Sequence, residues 1–193
     1  PQELPTSVSD LRLHDRASVF WPQYRYLGFE VLGSRRGKIA AGFLGGAQID
    51  PYGNLNSTAI GDYHKPKSRF SGSGGANGIA TYCSTIITMK HEIRRFVRQV
   101  DYITSPGWLD GPHGRENKGL PKEKGPLAVI SQLGIMRFGE DKRMYVDEIF
   151  SGVDPCRITE NTGFDIDVSK ALQARQPDSD VLCILRNKID PLR

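Results

Sequence analysis

Apolar residues along this chain gather in short runs closed by glycine, with no long helical stripes. Residues 25–33 (RYLGFEVLG) and 38–50 (KIAAGFLGGAQID) are two such runs, separated by the turn-like GSRRG. Their length and small-residue content predict buried strands or strand ends. The DPYGN that follows carries Pro51 and Gly53 where a tight turn favours them and a continuing helix does not. NGIATYC, residues 77–83, predicts a short helix, and the β-branched succession Thr85, Ile86, Ile87, Thr88 predicts a strand. Residues 104–126 hold five glycines and four prolines and no sustained apolar period. A connection that long in a compact domain is expected to be functional or mobile. LAVISQLGIMRFGEDKRMYVDEIF then reads as strands joined by turns at Gly134 and at Gly139-Glu140-Asp141, with Met144, Val146 and Glu148 alternating against Tyr145, Asp147 and Ile149. Near the end, Asp178 or Ser179 is placed to cap a helix whose Val181, Leu182, Ile184 and Leu185 supply an apolar face before Pro191 stops it. Strands interleaved with helices argue for an α/β architecture on one sheet. With no internal repeat and no second boundary in view, residues 1–193 are expected to form a single domain.

Composition narrows the function classes. A chain of 193 residues that is 38% hydrophobic can bury a sizeable core. Its 26 basic and 22 acidic residues leave a net charge of only +4, and groups such as Arg35-Arg36 and Lys65-Pro66-Lys67 stay short. That balance suits an anionic small molecule without requiring one, and it lacks the basic stripe of a nucleic-acid binder. Cys83, Cys156 and Cys183 are an odd number without CxxC spacing, so neither a disulfide framework nor a zinc site is expected, and a reducing cytoplasm is. No apolar run reaches membrane-spanning length and no signal-peptide pattern opens the chain, so no membrane partner is expected. The opening PQELPTSVSDLRL has no methionine and reads like the middle of a longer protein.

Residues 71–78, SGSGGANG, raise the question of chemistry, because four glycines in eight residues bring backbone close to something. A glycine turn opening a helix points N–H groups outward and favours negative charge, and Gly74, Gly75, Ala76 and Asn77 are the expected donors. The spacing is neither a Walker loop nor GxGxxG, and a packed turn without ligand fits the spacing equally well. In GGAQID, Gly45, Gly46 and Gln48 stand at the expected carboxyl end of a strand, where α/β sheets bind ligands. Tight packing at the glycine pair, with Gln48 serving the local backbone, is the competing reading of equal weight. His14, His64, His91 and His113 show no metal-ligand spacing, so no metal is expected. His113, beside Arg115 and Glu116, is placed either to contact substrate or simply to be solvated. SGSGG puts its central serine out of frame for a GxSxG elbow, which disfavours a serine hydrolase. Glu3 and Glu30 lie nearest the expected strand ends, with ordinary salt bridging as their simplest role.

Taken in order, GGAQIDPYGNLNSTAIGDYHKPKSRFSGSGGANGIATY, HEIRRF, VDYITSPGWLDGP, GRE and ENTGFDIDVSKA closely resemble the B subunits of glutaconate CoA-transferases, within the class I CoA-transferases. The similarity covers nearly the whole chain, to about Ile189-Asp190-Pro191. It implies the NagB/RpiA/CoA-transferase-like fold, an open, mostly parallel sheet flanked by helices. It implies an enzyme that moves CoA between a dicarboxylic acyl-CoA, glutaconyl-CoA-like, and a carboxylic acid through a glutamyl-CoA thioester. Coenzyme A then enters as acyl-CoA substrate, no cofactor is held permanently, and a homologous A subunit completes a hetero-oligomer. Gly72, Gly74 and Gly75 match the GxGG element to which the class assigns oxyanion and CoA contacts, and Ala76 and Asn77 extend that set. Gly45, Gly46 and Gln48 are the expected substrate contacts. The nucleophilic glutamate lies upstream of the segment matching PQELPTSVSDLRL, so it is expected before Pro1 and no residue of this chain is assigned that role. Two alternatives stand beside this reading: a CoA-dependent ring-opening hydrolase of steroid degradation, and a CoA-binding subunit without turnover.

Overall fold

A computed structural model describes residues 41–191, so the strand expected at 25–33, together with Glu3, His14 and Glu30, lies outside the described residues. In chain order the elements are β1 (Ala41–Leu44), β2 (Gln48–Ile49), β3 (Leu55–Asn56), β4 (Ala59–Ile60), β5 (Ser68–Arg69), α1 (Ala76–Tyr82), β6 (Ser84–Thr88), α2 (Gly114–Asn117), β7 (Pro126–Ile130), β8 (Gly134–Phe138), β9 (Met144–Ile149), α3 (Pro155–Glu160), β10 (Leu172–Gln173) and α4 (Ser179–Ile184). Among the described residues six strands form one sheet in the order β1-β6-β7-β8-β9-β10. The pairs β1·β6, β6·β7 and β9·β10 are parallel, and β7·β8 and β8·β9 are antiparallel, which is the mixed, mostly parallel α/β sheet expected. Parallel neighbours need long crossovers and antiparallel ones need only turns. Three long connections result, and the glycine turn and residues 104–126 lie in two of them, β1 to β6 and β6 to β7.

Alternation of apolar and polar residues sets which faces are buried. Val129, Met136 and Val146, on three adjacent strands, are fully buried, as are Ile49 and Phe96. Each such side chain stabilises the fold by roughly 1.5–3 kcal/mol relative to exposure. The β1-to-β6 crossover carries α1 back over the sheet, and Gly42 permits its close approach, since a Cβ there would overlap the Cγ2 of Ile79. The HEIRRF segment locks β2 in place: Ile49 donates to the Arg95 carbonyl at 2.7 Å, and Val97 donates to the Ile49 carbonyl at 2.9 Å. His91 stacks on Phe96 with ring centroids 3.9 Å apart, while its ring nitrogens meet Ser131 Oγ at 3.2 Å and Thr162 Oγ1 at 2.9 Å.

The structure corrects three expectations. Gly134 is not a turn residue; it begins β8, where a Cβ would collide with the Glu148 carbonyl oxygen, and the turn falls at residues 131–133. The alternation along β9 breaks after Val146, because a register shift pairs Ile135 with Glu148 but Met136 with Val146. The extra residue on β9 turns Ile149 inward beside Met144 and Val146. Third, α4 exists with Asp178 at its N-cap, yet the Asp178 side chain makes no cap bond and pairs with Arg175 at 3.2 Å instead. Its apolar residues stay open, Val181 being 56% and Ile184 48% exposed.

Residues 104–126 are ordered by two buried side chains. Asn54 uses its whole amide: Oδ1 accepts from Gly107 N at 2.8 Å and Leu109 N at 3.1 Å, and Nδ2 donates to Asp50 Oδ2 at 2.8 Å and the Leu109 carbonyl at 2.9 Å. Arg115, 1% exposed, has no carboxylate partner among the described residues. Its guanidinium donates instead to five carbonyls, those of Pro106, Gly107 and Pro121 within the loop and of Ala80 and Thr81 in α1. His113, two residues before it, points out to solvent and lies 3.7 Å from Glu116.

Arg115→Lys is expected to lower the urea-unfolding free energy by about 3 kcal/mol, because an ammonium cannot reproduce the planar fork and leaves buried carbonyls unpaired. A loss below about 1 kcal/mol would show that those carbonyls find other donors. Burial lowers the His91 pKa to about 4. The unfolded chain, with an ordinary histidine near 6.5, therefore binds more protons, and the His91 contribution is lost as pH falls from about 6.5 to about 4. Urea unfolding of wild type and His91→Gln across that window should show the wild-type advantage growing as pH rises, then levelling. A difference independent of pH contradicts a buried neutral imidazole.

Candidate functional site

The β4–β5 hairpin delivers the chain to the glycine turn, and residues 57–58 catch it there. Phe70 N donates to the Thr58 carbonyl at 2.9 Å and Gly72 N to the Ser57 carbonyl at 3.1 Å, while Ser57 Oγ returns a bond to the Gly72 carbonyl at 3.1 Å. Gly72 and Gly74 then take φ of +88° and +50°, the left-handed region that side chains disfavour. Among the described residues, no atom beyond the chain neighbours lies within 4 Å of where a Cβ on either would sit. Glycine is thus required by backbone conformation, and no described residue fills the space in front of these positions. Ala76 N closes the turn onto the Ser73 carbonyl at 2.8 Å, and α1 begins with Ile79 N bonded to the Gly75 carbonyl at 3.0 Å.

This geometry sorts the expected donors. The N–H groups of Gly72 and Ala76 are occupied by Ser57 and Ser73, so neither is available to a ligand as the turn stands. Those of Gly74, Gly75 and Asn77 meet no acceptor among the described residues, and no side chain caps α1 at Gly75. Asn77 also contributes its side chain, but inward, Nδ2 donating to the Thr104 carbonyl at 2.9 Å. Gly74 is exposed, with Gly75 half-buried behind it.

The second expected cluster serves the fold. A Cβ on Gly46 would press on the carbonyl oxygens of Asn56 at 3.2 Å and Gln48 at 3.3 Å, so this glycine permits close packing against β3. Gln48 is 5% exposed, and its Oε1 accepts from Asn56 Nδ2 at 2.7 Å and Asp101 N at 3.1 Å while Nε2 donates to Asp101 Oδ2 at 3.1 Å. Its amide holds neighbouring loops, as the packing alternative anticipates. Gly45 is exposed at the end of β1, where a Cβ would lie 3.2 Å from the Thr88 carbonyl. Asp50, beside them, accepts from Tyr52 N and Asn54 N at 3.0 Å each; burial pushes its carboxyl up to about 6 against the pull of those bonds.

Surface grooves of about 490 Å³, lined by Asp141, Asp147, Asp165, Asp167 and Lys170 among others, and of about 440 Å³, beside Arg98 and Thr162, include none of the turn residues. Among the described residues no group of three His, Cys, Asp or Glu side chains is arranged to hold a metal ion, and no helix is long and apolar enough to cross a membrane. Sequence reasoning missed Ser57, Thr58 and Thr104, which strap the turn. Their partners lie up to 47 residues away, and ordinary hydroxyl residues carry no local signal of such pairing.

Comparison with known proteins places the turn in context. A family profile described as Coenzyme A transferase matches residues 28–161. The B subunit of glutaconate CoA-transferase from Acidaminococcus fermentans is 54% identical over 195 residues, spanning 99% of this chain and 73% of that protein. The B subunit of 3-oxoadipate CoA-transferase from Pseudomonas knackmussii is 39% identical over 86% of this chain and 63% of its own length. The crystal structure of glutaconate coenzyme A-transferase from Acidaminococcus fermentans superimposes with a TM-score of 0.87 and 53% identity, covering 98% of this chain and 74% of that one. With sequence and fold agreeing over this extent, the chain belongs to the coenzyme A transferase family.

Proposed function

We propose that this chain is the B-subunit component of a two-subunit CoA-transferase that moves CoA from a dicarboxylic acyl-CoA, of the glutaconyl-CoA type, to a carboxylic acid. The 54% identity to the B subunit of a glutaconate CoA-transferase carries the assignment, and the turn, whose Gly74 and Gly75 amides meet no acceptor among the described residues, gives it a physical basis. A cytoplasmic setting, where acyl-CoA esters occur, goes with it.

In this reading a glutamate carboxylate, expected upstream of Pro1, attacks the thioester carbonyl. A C–O bond forms, the C–S bond breaks, and CoA leaves as thiolate from an acyl-glutamyl anhydride. The thiolate then attacks the glutamyl carbonyl, releasing the first acid as carboxylate and leaving a glutamyl-CoA thioester. A second carboxylate repeats the two steps in reverse order. Every attack gathers negative charge on a carbonyl oxygen, and the fixed N–H groups of Gly74 and Gly75 are the donors for it. One well-placed donor of this kind contributes about 3 kcal/mol to lowering the barrier. Exposed Gly74 is suited to approach by a ligand as large as CoA.

Two outcomes are expected of the full-length chain assembled with its A partner. Incubation with glutaconyl-CoA should leave CoA on one glutamate of the full-length chain, detected by mass spectrometry, and ¹⁸O-labelled water should leave no label in the products of transfer. If instead glutaconyl-CoA stays unchanged with no adduct, while a cyclic acyl-CoA is opened with the label in its new carboxylate and its thioester intact, the ring-opening hydrolase is selected; CoA binding without turnover selects the binding role. Gly74→Ala has room for its methyl group, so its cost is conformational, of order 1–2 kcal/mol from the left-handed backbone. It is expected to reduce kcat about a hundredfold with little change in KM, and a kcat within about threefold of wild type contradicts the role given to this turn.

A further inference from the structure

The turn amides are useful only if both flanks of the turn are fixed, and one residue reaches both. Thr104 is 5% exposed and sits far in sequence from the turn. Its Oγ1 accepts from Ser57 N at 2.8 Å and shares a hydrogen bond with Thr58 Oγ1 at 2.7 Å. Ser57 in turn holds Gly72 by a reciprocal pair, the Gly72 N–H to its carbonyl and its Oγ to the Gly72 carbonyl, each 3.1 Å. Thr58 holds Phe70 N at 2.9 Å. The Thr104 carbonyl accepts from Asn77 Nδ2 at 2.9 Å, just inside α1, and its own N–H is anchored on the Leu55 carbonyl at 2.8 Å. One arm therefore reaches, through Ser57, the residue entering the turn and the other the residue leaving it, with Ser73, Gly74, Gly75 and Ala76 between.

We infer that Thr104 is a positioning residue for transfer: its hydroxyl and carbonyl hold the two flanks of the glycine turn so that Gly74 and Gly75 present their N–H groups together. This rests on the oxyanion role proposed above. A threonine hydroxyl both accepts and donates. Valine keeps the shape and removes both capacities, leaving Ser57 N without its acceptor; serine keeps them. Displacement of a reacting group by about an ångström costs on the order of a hundredfold in rate, while substrate affinity, made over the whole CoA, depends less on the turn.

The experiment compares Thr104→Val and Thr104→Ser in the full-length two-subunit enzyme, measuring kcat, KM for glutaconyl-CoA, thermal unfolding, and hydrogen exchange in the peptide covering residues 71–78. For valine, kcat should fall about ten- to a hundredfold with KM within about threefold, and exchange in the turn peptide should quicken. Serine should restore kcat to within about threefold of wild type. A valine variant with wild-type kcat, or a serine variant as impaired as valine, overturns the inference. A fall in kcat matched by a lost thermal transition and quickened exchange throughout assigns Thr104 a purely structural role and also overturns it. If wild type transfers no CoA, the proposed function fails on its own, and exchange decides: turn amides quickened by valine alone support the positioning role, and unchanged exchange ends it.

Discussion

A seven-residue helix has too few turns to hold itself in place, and both ends of α1 are held by the loop that the sequence makes least regular. At the C-terminal end Arg115 donates to the carbonyls of Ala80 and Thr81, groups that a helix terminus leaves unpaired. At the N-terminal end Asn77 donates to the Thr104 carbonyl. The same guanidinium binds the carbonyls of Pro106, Gly107 and Pro121, so the loop and the helix it braces share one buried charge. The glycine turn takes its position from this clamp.

The proposed chemistry rests on amides that the clamp leaves without an acceptor among the described residues. Left-handed backbone at Gly72 and Gly74 turns the chain so that some amides are satisfied internally, at Gly72 and Ala76, while those at Gly74 and Gly75 meet no acceptor among the described residues. Backbone donors fixed by their scaffold need no reorganisation when charge develops, which is where most of their catalytic effect arises. The chain belongs to the coenzyme A transferase family, and in the reaction proposed for it such charge develops on a thioester oxygen.

Local features of the sequence are legible because local physics governs them. The β-branched run at residues 85–88 forms β6, NGIATYC forms α1, and Pro51 and Gly53 mark a turn. Gly134 misleads because a glycine in a strand and a glycine in a turn look alike until the facing strand is known; here the Glu148 carbonyl requires it. Residues 104–126 read as functional or mobile, and their order is not legible because it comes from Asn54 and Arg115 contacting main chain, interactions without periodicity. For Gln48, an amide after two glycines suggests a ligand, but Asn56 and Asp101 occupy it. At the turn, composition points to close backbone approach, whereas the sorting of free from occupied amides depends on Ser57, whose partnership with Gly72 spans 15 residues.

The most direct measurement is a crystal structure of the complete two-subunit enzyme trapped as its covalent enzyme–CoA thioester. We expect the thioester carbonyl oxygen at about 2.7–3.1 Å from the backbone nitrogens of both Gly74 and Gly75, with Gly72 still bonded to Ser57. A thioester oxygen turned toward other donors, with those two amides facing solvent, would contradict the role of the glycine turn.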